Sequence, residues 1–121
     1  MNSLPGNRAL TSAELSLAHW MLEHGANEAK AFVHQLELVE VTPWKCPCGC
    51  ASINFQIRGQ AAAPGVHILG DYLFGEGEHT SGAFIFENGG ILGGIEVYGL
   101  GGDAPTLLPC TEELRPFEHG A

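Results

Sequence analysis

The hydrophobic rhythm of this chain changes once, near Leu36, and that change decides its fold class. Before it, apolar residues recur in steps of three and four. Leu15, Ala18 and Leu22 form one stripe, widened by Leu17 and Met21; Ala29, Phe32, Val33 and Leu36 form a second. Such spacing lines one face of a helix. Thr11 followed by Glu14 is a capping box, in which two side chains satisfy free backbone N–H groups at a helix start. Gly25 is placed to end the first helix and Asn27 to cap the next. So short a link predicts an antiparallel pair.

After Leu36 the step is two. Val39 and Val41 alternate with Leu38 and Glu40, and Pro43 forbids a continuing helix, which predicts a strand over roughly 38–44. Ile53, Phe55 and Ile57 alternate with Ser52, Asn54, Gln56 and Arg58, the pattern of a strand with one buried and one polar face. Further strands are predicted at Val66 to Phe74, Ala83 to Glu87 and Ile91 to Tyr98. The last two flank Asn88-Gly89-Gly90, a hairpin signal because both turn positions need positive φ. Gly93-Gly94, inside a strand, predicts a bulge or a close backbone approach. The expected fold is α+β, an N-terminal antiparallel helix pair packed on a mostly antiparallel sheet of about five strands. The pair should cover the face bearing Ile53, Phe55 and Ile57. At 121 residues the chain reads as a single domain, with 1–10 and 111–121 as flexible tails.

Three cysteines stand within five residues at the end of the first strand: Cys46-Pro47-Cys48-Gly49-Cys50. Thiols at alternate positions can point the same way, and Pro47 and Gly49 favour a tight bend. Thiolates suit zinc and Cu(I), and two or three sulfurs suffice for Cu(I). A structural zinc site needs four ligands, so one must come from a distant residue: Cys110, His67 or His79. The metal site read from sequence is therefore Cys46, Cys48, Cys50, Cys110 and His67, with zinc the expected cofactor. Thiol exchange is a second reading, since Lys45 can lower a neighbouring thiol pKa. It lacks the C-x-x-C at a helix start, and a bridge between residues two apart is strained. In the third reading the cysteines are small apolar residues that fill a corner of the core.

The formal charge is −9, from 14 acidic and 5 basic residues with histidine neutral. The cations Arg8, Lys30, Lys45, Arg58 and Arg115 are scattered, which argues against nucleic acid and anionic membrane as partners. Acidity would steer a basic protein partner inward. Neither an apolar leader in residues 1–10 nor a run of membrane-spanning length is visible, so a cytoplasmic location and reduced cysteines are expected. There is no G-x-S-x-G, no H-E-x-x-H and no phosphate loop ending in GK[ST]. No catalytic residue is assigned.

Glu14-Leu15, Trp20, Leu22, His24-Gly25, Glu28-Ala29, Phe32 and Gln35-Leu36 form a pattern with the cysteine run, Ser52-Ile53 and Gly93-Gly94-Ile95-Glu96-Val97-Tyr98. It covers most of residues 10–100. In this the chain resembles a group of small bacterial proteins with C-x-C-G-C after an N-terminal helix pair. The resemblance implies a prokaryotic origin and carries no mechanism. The expected function is a non-enzymatic binding protein whose cysteine loop holds a soft metal such as zinc. The alternative is a metal-free acidic interaction module of immunity type that neutralises a basic toxin. A thiol oxidoreductase is the third possibility.

Overall fold

Thr11 and Glu14 close the capping box that their spacing predicts. Thr11 Oγ1 accepts from the Glu14 N–H at 3.1 Å, and the Glu14 carboxylate accepts from the Thr11 N–H at 2.9 Å. In the computed structural model, which describes residues 6–117, helix α1 spans Ser12–Glu23. It buries Leu17, Ala18, Met21 and Leu22, whereas Leu15, expected on the same stripe, faces solvent. Beyond the helix end, the Ala26 N–H donates to the Leu69 carbonyl at 2.8 Å. A Cβ at Gly25 would collide with that same carbonyl oxygen, so only glycine lets the link pass there.

The second helical segment, Asn27–Glu37, is a 3₁₀ helix. Asn27 is its first residue rather than its cap; the preceding residue is Ala26, which makes no side-chain cap bond. At three residues per turn, Ala29, Phe32 and Gln35 line up. Ala29 and Leu36 are buried, and Phe32 and Val33 pack half-buried against the core. Gln35 explains why this face lies on the sheet. Its amide donates to the Gly90 carbonyl at 2.7 Å and accepts from the Leu92 N–H at 3.0 Å.

Six strands follow: β1 Val39–Val41, β2 Ile53–Ile57, β3 His67–Phe74, β4 Ser81–Asn88, β5 Ile91–Gly99 and β6 Arg115–Pro116. They form one sheet in the order β1-β2-β5-β4-β3-β6, with every neighbouring pair antiparallel. The α+β class therefore stands, with six strands in place of five. The sixth is two residues long and pairs with Tyr72 and Leu73. It lies in a segment expected to be a flexible tail, and buried Leu114 anchors it. Near the other end, Arg8 exchanges backbone hydrogen bonds with Val41 at 2.9 and 2.7 Å and pairs with Glu14. The remaining parts of both expected tails, 1–5 and 118–121, lie outside the described residues.

The hairpin turns one residue later than Asn-Gly suggests. Asn88 pairs with Ile91, and the loop is Gly89-Gly90, with φ of 63° and 89°. The predicted bulge sets this register. Phe86 pairs with Gly94 but Glu87 with Leu92, leaving Gly93 as the extra residue. The Phe86 ring occupies the place of a Gly93 side chain, and the Ile53 carbonyl that of a Gly94 one. Strand β2 thus meets β5 where only glycine admits it.

The helical layer packs on β3, β4 and β5, and the largest fully buried side chains include Phe55, Met21, Leu69, Ile85 and Ile95. Among the described residues no helix is long and apolar enough to cross a membrane. Phe55 is the core anchor of β2, the strand that carries the cysteine loop. Phe55→Ala is expected to cost about 3–5 kcal/mol, read from the urea midpoint at unchanged slope.

Candidate metal centre

The chain leaves β1 through Thr42, whose N–H bonds the Asn54 carbonyl at 3.0 Å. It then turns over Cys46-Pro47-Cys48-Gly49, closed by the Gly49 N–H on the Cys46 carbonyl at 2.9 Å. Pro47 presets φ at the second turn position, and glycine is favoured at the fourth. Gly49 takes φ of 87°, a left-handed conformation that reverses the chain and brings Cys50 back towards Cys48.

The three sulfurs gather as a result. Their Sγ atoms all lie within 4.8 Å of one another, and Cys46 and Cys48 are separated by 3.0 Å. Tetrahedral zinc with Zn–S bonds of about 2.3 Å sets sulfurs roughly 3.8 Å apart, below that 4.8 Å bound and above the Cys46–Cys48 separation. All four cysteines are free thiols. The cluster can hold a metal ion. Cys48 is exposed, and Cys46 and Cys50 are half-buried.

Two contacts anchor the loop. The Ala51 N–H bonds the Pro105 carbonyl at 2.9 Å. Ser52 is buried, and its Oγ accepts from the Val97 N–H at 3.0 Å while lying 3.2 Å from Cys50 Sγ. The Ser52 hydroxyl donates across a long 3.5 Å contact to the Val97 carbonyl, and can turn from it to the sulfur when Cys50 ionises. The strand pattern reads Ser52 as part of the polar face, so its part in the site was not foreseen. Its place two residues after Cys50 is the only sequence signal.

The thiols are not equivalent. Hydrogen bonds with the Cys46 thiol, and then with Cys50, hold the Cys48 proton and push its pKa up to about 11. Desolvation, the largest single influence on Cys50, pushes upward. The Ser52 hydroxyl and N–H together with the neighbouring thiols outweigh it, and Cys50 is pulled down to about 7. A Cys50 N–H contact to Cys48 Sγ at 3.3 Å works in the opposite sense on Cys48.

Neither side chain expected to complete the shell joins the three. Cys110 is exposed and caps the short 3₁₀ turn Thr111–Glu113. His67 lies on β3, with Nδ1 on the Glu87 carboxylate and Nε2 3.2 Å from that of Glu28. His79 ends another exposed 3₁₀ turn, Gly77–His79. A cleft of about 640 Å³ borders the loop instead, lined by Val41, Trp44, Lys45, Cys50, Leu107 and Leu108 among others.

No protein-family model, curated protein or solved structure matches this chain.

Two outcomes are expected. Ser52→Ala should raise the Cys50 pKa from about 7 towards 9.0 and slow its alkylation at pH 7 by about five- to tenfold, read by peptide mass mapping across pH. An unmoved alkylation midpoint in a folded variant would remove Ser52 from the site. For His67, the hydrogen bond to Glu87 is the main influence and raises the pKa above 6.5. Being raised on folding, it contributes stability that is full below 6.5 and lost as pH climbs through the folded value. An NMR titration should place the imidazole midpoint above 6.5, and Glu87→Gln should lower it.

Proposed function

We propose that this chain is a non-enzymatic soft-metal-binding domain that carries zinc or Cu(I) on the thiolates of Cys46, Cys48 and Cys50. The observation that supports it is the convergence of three free sulfurs within 4.8 Å on one short turn. Soft thiolates select these two metals over magnesium or calcium, which prefer oxygen. The ion would replace three protons and spread the charge of three crowded sulfurs. Cys50 enters this exchange readily near neutral pH, whereas Cys48 needs the metal to displace its proton.

The role differs from that of a structural zinc. Strands β1 and β2 already pair directly, with Val39 opposite Ile57 and Val41 opposite Phe55. The turn is already closed by its own hydrogen bond. The ion would therefore sit on the surface of a formed domain instead of joining its strands.

Reduced protein titrated with zinc against a competing chelator should bind about one equivalent. Serine at Cys46, Cys48 or Cys50 should each weaken binding by about tenfold or more, while Cys110→Ser and His67→Ala leave it unchanged. Less than about a tenth of an equivalent at saturation would reject the proposal.

A further inference from the structure

Three sulfurs leave a tetrahedral ion one ligand short, and the surroundings show where that ligand enters. Resting on the soft-metal reading above, we infer that the fourth position is filled by the thiolate of a small free thiol, seated in the cleft beside Cys50.

The first support is the donor set. The metal-ligand cluster found among the described residues contains Cys46, Cys48 and Cys50 and no fourth side chain. Cys110 stands outside the cluster at the start of Thr111–Glu113, and His67, on β3, pairs with the carboxylates of Glu28 and Glu87. The second is access. Cys48 is exposed and Cys50 lines the cleft, so an ion on the three sulfurs is reached from outside without unfolding. The third is the shape and chemistry of the cleft. Its volume of about 640 Å³ lies in the range of small-molecule sites. Trp44 and Leu107 present apolar surface to solvent beside it, and Lys45 adds a cation near a tris-thiolate centre of net negative charge. A soft ion already holding sulfur favours a fourth sulfur over water. The step is a ligand substitution: the thiol releases its proton, its sulfur bonds the ion, and a bound water leaves. Every metal–cysteine bond stays in place, and nothing is oxidised or reduced.

The test uses the full chain, reduced with a phosphine that brings no thiol, and cobalt(II) as the probe ion. Sulfur-to-cobalt charge-transfer absorbance counts bound thiolates, and light scattering gives the mass. The expected result is a monomer with three-thiolate absorbance. Added 2-mercaptoethanol should then raise that absorbance by about one third, saturably and without change of mass, from three sulfurs to four. Three-thiolate absorbance that ignores the added thiol would overturn the inference. Four-thiolate absorbance before any thiol is added would do the same. Loss of that absorbance in Cys110→Ser would then assign the fourth sulfur to the chain itself, and a doubled mass would assign it to a second copy. All three of these results leave the soft-metal reading standing. Absence of any cobalt–sulfur band would defeat both.

Discussion

Two rungs of backbone pairing, Ile53 with Ile95 and Asn54 with Gly94, join β2 to β5 and so join the cysteine-bearing edge to the rest of the sheet. So short a seam needs support from side chains. Gly94 lets the Ile53 carbonyl approach, Phe55 sinks into the core two residues on, and the Ser52 hydroxyl takes the Val97 N–H as a further rung. An N–H buried there without a partner would cost about 1–3 kcal/mol. The residue that extends the seam is also the one that touches Cys50. The geometry of the thiols is thus tied to the weakest joint of the sheet.

What could be read in the sequence was local in its physics. The capping box at Thr11, the alternation of Ile53, Phe55 and Ile57, and the bend at Pro47 and Gly49 each depend on a few neighbouring residues. The cap and the bend appear in the fold as read; the strand forms too, but of its three apolar residues only Phe55 is fully buried, and Ile53 and Ile57 are half-buried. The winding of Asn27–Glu37 was not legible, because a stripe at i, i+3 and i+4 fits a helix of either pitch. What sets the face against the sheet is Gln35, bonded to a hairpin 55 residues away. Strand β6 was hidden by its length and by Pro116, which suits an edge where no N–H is needed. The hairpin loop is Gly89-Gly90 with Asn88 already in the strand, and the bulge at Gly93 then shifts the pairing beyond it by one residue, a change invisible in the dipeptide at the turn.

The candidate site divides in the same way. Three of its sulfurs were legible because a turn of four residues brings them together. The choice of Cys110 or His67 as the missing ligand depended on tertiary contacts, and each residue is placed elsewhere. Cys110 sits where a short helix needs a cap, and His67 lies directly opposite Glu87 on a neighbouring strand. The same locality explains the divergence of the thiols. Cys48 shares its proton with two neighbouring sulfurs, which favours its neutral form, while Cys50 meets a hydroxyl that favours the anion. Of two residues two apart on one loop, one thereby titrates near neutral pH and the other well above it.

A metal on this loop would act on local order more than on global stability. The core residues of β2, β4 and β5 make their contacts without it, and Cys48 contributes nothing to the core. Binding free energy stabilises the states that hold the site against those in which it is broken. Opening of the segment from Thr42 to Ala51 breaks few contacts, chiefly the Asn54, Cys46 and Pro105 carbonyl bonds, and leaves the remainder folded. That opening is the equilibrium an ion would suppress. Because Ala51 is bonded to Pro105, the ordering would pass to the chain that carries Leu107 and Leu108, the far wall of the cleft. Any occupancy by metal would thus be coupled to the shape of the neighbouring cleft through one backbone hydrogen bond.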